Sequence, residues 1–294
     1  MPLRSDVARV LRAGERLACV TLDFELDYGD RIGAFNILRD DAERIEALAA
    51  LCRQLATPVS AFVPTSVLER YPASLELLRL LADDVHAHSH THDTGNFDSR
   101  REIGGSAEAF ERIFGRRPLG YRAPQGVLRD GDVELLAELG YCFSASVFPS
   151  YRPGKFNNLG LPNGPFVYHN GIVELSFAAV PRVRAPLALS YLKLLGWRLN
   201  RALVAAFGLP EVVVFNTHLH DFIVNEQSYS RLPARMRLAW GINKHRGFDY
   251  FARFVELLRG RGYRFVTMTE LYEHLLRIDQ LSGPRSGDIN QPGA

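Results

Sequence analysis

A chain of 294 residues, 47% of them apolar and 23% charged, can bury a sizeable core, which excludes general disorder. Its 35 Lys and Arg against 33 Asp and Glu leave a net charge of only +2, so no nucleic-acid partner is expected. Cys19, Cys52 and Cys142 stand far apart with no C-x-x-C spacing, which excludes a disulfide framework and favours a reducing compartment.

From the N-terminus, MPLRSDVARVLRAGERLACV breaks its apolar positions with Arg, Asp and Glu, so no signal-peptide apolar region is expected and the expected location is cytoplasmic. LACVTLDF (17–24) reads as a strand. DAERIEALAALCRQLA (41–56) reads as a helix with Ile45, Leu48, Leu51, Cys52 and Leu55 on one face. A strand at PVSAFVP (58–64) and a helix at ASLELLRLLAD (73–83) follow, then strand-like DVHAH (84–88) and a helix at SAEAFERIFG (106–115). LGYRAP (119–124) reads as a strand end, GDVELLAELG (131–140) as a helix and YCFSASVF (141–148) as a strand. Residues 149–170, rich in Pro, Gly and Asn, read as a loop. Beyond it the pattern predicts a strand at GIVELSF (171–177), a long helix from Pro186 to Phe207 and a strand at EVVVFNTH (211–218). A helix at 248–262, a strand at 263–268 and a closing helix at 269–278 complete the alternation. Seven or eight such units predict an α/β fold in which one (β/α) barrel spans residues 1–280 as a single domain, with a disordered tail over 281–294.

In such a barrel, functional side chains gather at the C-terminal ends of strands. The polar residues where apolar runs break are Asp23 and Glu25, the cluster His86, His88, His90 and His92, Arg122, and His218 with His220. An extended chain would put His88 and His90 on one face, whereas a helix or loop after His88 would make His86/His90 and His88/His92 the chelating pairs. Two imidazoles with a third, carboxylate ligand suit zinc or a similar divalent ion and leave a position for water. Asp23 or Glu25 offers that carboxylate, and neighbouring buried carboxylates themselves need a compensating cation. The competing account is a solvated, hydrogen-bonded His-rich turn. Asp27 to Asp30 read as a polar turn.

TLDFE, HSHTH and GYRAPQG, in that order, resemble the first three motifs of the polysaccharide deacetylases, the NodB-homology group or carbohydrate esterase family four, over residues 17–270. The resemblance implies a distorted (β/α)7-8 barrel of the polysaccharide deacetylase type. It implies Asp23 as catalytic base and Arg122 as the arginine that orients it. Phe24 stands at the family's usual second Asp and cannot ligate; a D-x-E branch of the superfamily implies Glu25 in that role. H-[ST]-x-x-H implies His88 and His92 as the metal-ligand pair and leaves His86 and His90 as structural or supporting residues. Pro124 and Gln125 fall where the family's loop offers a backbone N–H to the oxyanion. Ser144 falls near the family's fourth-motif Asp, which leaves the catalytic histidine without an assigned partner. His218 and His220 both resemble the histidine that protonates the leaving group, with His218 favoured because it follows the strand directly.

The implied activity is metal-dependent removal of N-acetyl groups from an amino sugar, polysaccharide or glycan precursor, with a divalent metal, Zn2+ first, as cofactor. The implied partner is an N-acetylated glycan or a lipid-linked sugar. Two alternatives stand beside it: an allantoinase-like hydrolase of another C–N amide bond, and a catalytically inactive carbohydrate- or metal-binding module, which Phe24 and Ser144 favour. In residues 184–208, Lys193, Arg198 and Arg201 interrupt the apolar positions, which excludes a membrane span. A barrel-covering amphipathic helix is the default for that stretch; the sharper alternative is an interfacial helix at the inner face of the membrane. Nothing in the sequence indicates an oligomeric state.

Overall fold

A computed structural model describes residues 15–26, 28 and 37–281 of the chain. The turn expected from Asp27 to Asp30, most of the N-terminal stretch and the tail beyond 281 lie outside the described residues. The main elements are β1 (Leu17–Asp23), α1 (Ala42–Gln54), β2 (Val59–Val63), α2 (Ser74–Leu81), β3 (Asp84–Ala87), α3 (Gly105–Phe114), β4 (Gly120–Tyr121), α4 (Asp132–Glu138), β5 (Phe143–Ser144), β6 (Phe166–Val167) and β7 (Val173–Glu174). After them come α5 (Leu189–Leu195), α6 (Trp197–Phe207), β8 (Val212–His218), α7 (Ala234–Gly241), α8 (Gly247–Gly260), β9 (Arg264–Phe265) and α9 (Met268–Leu281).

The strands form one sheet in the order β8-β1-β2-β3-β4-β5-β7-β6, with β9 also beside β1. All pairings are parallel except the last, between β7 and β6. The sheet curls toward closure: Ala178 N–H donates to Val214 O at 3.0 Å and Ala188 bridges Asn216. The result is the distorted (β/α) barrel expected, with a weak seam between the β7 and β8 sides.

Every residue of β1 and β2 is buried, as parallel strands covered on both faces must be. Alternation splits their side chains between two cores. Leu17, Cys19, Phe62, Phe143 and Val214 fill the barrel interior, and Met268 and Leu271 of α9 close its floor. Val20, Leu22, Val213 and Phe215 face outward under Ile45 and Leu48 of α1 and Phe254 and Val255 of α8. The floor is pinned by Asp84, whose Oδ2 accepts from Thr269 N–H at 2.9 Å and lies 2.7 Å from His86 Nε2. That leaves the opposite rim, where the strands end, for polar side chains.

Some elements differ from expectation. The long helix over 186–207 is two helices, because Gly196 at φ 76° and ψ 154° breaks the ladder between α5 and α6. The strand expected over 141–148 is only Phe143–Ser144, since the N–H groups of Ser146 and Val147 turn to Glu174 Oε1, each at 2.8 Å, rather than to a neighbouring strand. The loop at 149–170 contains a short hairpin, Tyr151–Arg152 with Phe156–Asn157, and β6. Residues 226–241 form two helices that apolar periodicity did not mark, and α7 buries no residue of its own. No described helix is long and apolar enough to cross a membrane.

Candidate active site

Strand register assembles the site. Parallel pairing of β1 with β8 sets Thr21 opposite Asn216 and Asp23 opposite His218, and the two-residue period sends each of these pairs to the same side. Phe24 points the other way and is fully buried in the outer core, while Glu25 returns to the side of Asp23 and is also buried. A second carboxylate at position 24 would enter the apolar core; position 25 reaches the rim.

β3 ends at Ala87, and the chain turns sharply through Ser89 (φ 61°) and His92 (φ 62°). The His-rich stretch is therefore a loop. Its four rings separate into two uses. His86 lies between Phe62 and Phe143, bonded to Asp84, and His90 Nδ1 meets Thr65 Oγ1 at 2.9 Å. His88 and His92 turn toward Glu25: His92 Nε2 lies 3.1 Å from Glu25 Oε2, the two rings are 4.8 Å apart, and one ligand atom from each of the three residues falls within 4.8 Å of the others.

These donors fit a divalent cation by their own chemistry. His88 Nδ1 donates to Arg122 O at 2.9 Å, which fixes the tautomer and leaves Nε2 as a free nitrogen donor. Burial, above all, lowers the His88 pKa, so the ring is held in the neutral form that ligation needs. Two imidazoles and one carboxylate form a borderline N2O set suited to zinc and its neighbours. A second acidic and imidazole group, His218, His220 and Asp221, is equally compact, but both oxygens of Asp221 are already engaged. Oδ1 takes Ser190 Oγ at 2.7 Å and faces Lys193 Nζ at 3.6 Å; Oδ2 takes His218 N–H and Nδ1–H.

Beside the cluster runs a buried chain of alternating charge. Arg122 Nη1 donates to Asp23 Oδ1 at 2.5 Å, Asp23 Oδ2 lies 3.2 Å from His218 Nε2, and His218 Nδ1 lies 3.2 Å from Asp221 Oδ2, which in turn faces Lys193. Burial pushes the Asp23 carboxyl up, but Arg122, His88 and His218 outweigh it and hold it well below the usual carboxylate range. Burial pushes His218 down, yet Asp221 and Asp23 hold it protonated well above the usual histidine value. The pair is thus an ionised carboxylate facing an imidazolium.

Arg122 is buried with each of its three nitrogens bonded, donating also to Asn216 Oδ1 at 3.1 Å, Thr21 Oγ1 at 3.0 Å and Ala145 O at 3.0 Å. Phe62 and Phe177 flank its guanidinium at 3.7 and 4.5 Å. The following turn, Pro124–Gly126, carries Gln125 at φ 59°. In it Ala123 N–H goes to Ser146 Oγ at 2.9 Å, Gly126 N–H goes to Ala123 O at 3.0 Å, and Pro124 has no N–H, which leaves that of Gln125 for a ligand.

Ser144 bonds Ser146 Oγ at 2.9 Å, beneath the Arg122 turn; the partner of His218 is Asp221, which sequence reasoning missed. Its signal was the H-x-x-D spacing of a reciprocal N-terminal cap, seen here where β8 passes into the helical turn Leu219–Phe222. β8 ends at His218, as the sequence pattern predicts. His220 sits in that turn, its ring 4.8 Å from Tyr28 and 5.6 Å from Trp240, and burial, with His218 nearby, lowers its pKa to about 3. A cleft of about 270 Å³ joins Glu25, His88 and His92 to Asp23, Arg122, Gln125, His218 and His220, walled by Tyr28, Phe148, Phe177, Tyr191 and Trp240.

No protein-family model and no curated protein matches the chain. Solved structures do. A Mycobacterium smegmatis protein classed with the polysaccharide deacetylases is 17% identical, with 96% of each chain covered and a TM-score of 0.53. Puue allantoinase is 13% identical, with 93% of each chain covered and a TM-score of 0.55. A Bacillus anthracis protein described as a CE4 family pseudoenzyme is 10% identical over 89% of this chain and 66% of its own, with a TM-score of 0.51. At such identities these likenesses establish the fold: the chain has the barrel found in polysaccharide deacetylases and in an allantoinase.

Proposed function

We propose that the chain is a metal-dependent hydrolase that removes N-acetyl groups from an amino sugar or glycan precursor. The observation that carries this reading is the meeting, in one aromatic-walled cleft, of the Glu25, His88 and His92 donor set with an ionised Asp23 and a protonated His218. A hydrolase of amides needs both a base for water and an acid for the leaving nitrogen, and environments that drive two pKa values apart supply them.

Glu25, His88 and His92 would hold the ion, which when bound supplies Lewis-acid polarisation of a carbonyl and a lower pKa for water. Asp23, its Oδ1 clamped by Arg122, presents Oδ2 to take the proton of the attacking water. Gln125 N–H donates to the oxygen that gains charge as the acetyl carbon becomes tetrahedral. His218 gives its Nε2 proton to the amine nitrogen as the C–N bond breaks, and acetate and the free amine leave. With 3.2 Å between Asp23 Oδ2 and His218 Nε2, the proton held by Asp23 can return to His218 and restore the resting state. Asp221 keeps the imidazole oriented throughout. The neutral His220 packs between His218 and the cleft wall, and His218 takes the acid role.

The feature that favoured an inactive module was the pair of substitutions at positions 24 and 144. Glu25 beside His88 and His92, and Asp221 beside His218, offer carboxylates for those two roles and support activity over an inactive module. The test is acetate release by zinc-loaded protein from a panel of N-acetylated sugars and sugar nucleotides. Asp23→Asn should lower the rate by about 10²- to 10⁴-fold with metal content unchanged. Cleavage of a cyclic ureide with no acetate from any sugar would replace the reading with an allantoinase-like one.

A further inference from the structure

Residues 175–210 and 227–248 contain five Lys or Arg each and no Asp or Glu, in a chain whose totals are nearly balanced at 35 and 33. The two stretches meet in space. α7 packs on α5, and Asn243 Nδ2 donates to Lys193 O at 2.8 Å. Arg182, Arg198, Arg201, Arg231, Arg235 and Arg237 are exposed on them.

Apolar side chains stand among those cations. Of nine large apolar residues exposed among the described residues, five belong to these stretches: Val183, Leu194, Leu199, Leu238 and Ile242, with Leu238 76% exposed. The cleft opens beside them, since Leu194 of α5 and Met236 and Trp240 of α7 are part of its lining. A nucleic acid would use the arginines but offers nothing to aliphatic leucines, whereas the boundary between lipid headgroups and acyl chains takes both kinds of side chain.

We propose that this face is a peripheral docking surface for an anionic lipid bilayer, which seats the mouth of the cleft at the headgroup layer. The interfacial role considered for residues 184–208 is thereby shared: α5 and α6 supply one part of the surface and α7 the other. Binding needs no turnover, so vesicle binding and acetate release succeed or fail separately.

The test is cosedimentation of the full, metal-loaded chain with vesicles of phosphatidylglycerol and phosphatidylcholine, against phosphatidylcholine alone. The bound fraction should be about tenfold greater on anionic vesicles at about 0.1 M NaCl and fall several-fold at about 0.5 M. Two double variants separate the contributions, Arg198→Glu with Arg235→Glu, and Leu199→Ser with Leu238→Ser. Each should lower binding about tenfold while thermal midpoint and metal content stay unchanged. No sedimentation with anionic vesicles overturns the proposal. Binding that the leucine variant leaves intact and that a short single-stranded RNA competes away overturns it too, and would mark a general polyanion surface instead.

Discussion

Asp23 is under two opposed pressures. Burial alone would keep its carboxyl neutral, and Arg122 at 2.5 Å with His218 at 3.2 Å reverses that. Breaking such a buried pair on one side leaves an uncompensated charge, so Arg122→Ala should cost about 3 to 5 kcal/mol in a urea titration, beyond any effect on rate. The histidines divide just as sharply by what they touch. His88→Ala and His92→Ala should each abolish stoichiometric zinc in elemental analysis, while His90→Ala, which gives up only the Thr65 contact, should keep it. Equal loss in all three would refute the division. Asp23, Glu25, the histidine cluster, Arg122 and His218 stood out in sequence because apolar runs break there, while the choice of His88 and His92 within the cluster and of Glu25 as their carboxylate was only implied by the resemblance to the deacetylase motifs. Lys193 did not stand out, because from sequence it is one cation among several on an amphipathic stretch.

At the scale of elements, α5 anchors the carboxylate that partners His218. Its Lys193 donates to Asp221 O at 2.9 Å and its Ser190 to Asp221 Oδ1 at 2.7 Å, so it holds the carboxylate that orients His218. Lys193→Met should lower kcat about tenfold with KM and metal content little changed, since it removes a positioning charge and no substrate contact. A parallel rise in KM would place Lys193 in the cleft instead. On the floor, Asp84 ties β2 and β3 to α9. Burial pushes its carboxyl up, but bonds from His86 and Thr269 win and lower it to about 2. Unfolded, the same group titrates near 4, so the unfolded chain binds the proton first as pH falls. The contribution, about 2 to 3 kcal/mol, is therefore complete above pH about 4 and is lost as pH falls toward 2. Chemical denaturation of Asp84→Asn beside the unmodified chain should show a gap at pH 7 that closes below pH about 4. A gap independent of pH would assign the effect to packing.

Over the whole molecule, the barrel separates stability from chemistry. Apolar closure by α9 and the Asp84 bonds lie at one end, and the charged chain and the donor cluster at the other. The donor cluster brings Glu25, just past β1, to the loop after β3, so an ion held there would join segments more than sixty residues apart in sequence. Metal at about a hundredfold excess over its dissociation constant should stabilise the fold by about 2.7 kcal/mol and raise the thermal midpoint, with chelation reversing the shift. A midpoint indifferent to zinc and to chelator would argue against a site formed by Glu25, His88 and His92.

The sequence by itself determined the alternation of strands and helices, the inward and outward faces of β1 and β8, and which strand ends carry polar groups, because the two-residue and 3.6-residue periods act locally. Tertiary structure alone decided which polar groups meet. The register that sets Asp23 beside His218, the turn after β8 that brings Asp221 back to His218 and the packing that carries Lys193 to Asp221 all depend on contacts between distant segments. The break at Gly196 and the sharp turn after Ala87 were equally beyond periodic reading. A local pattern records which way a side chain points; its partner is chosen by how the sheet curls.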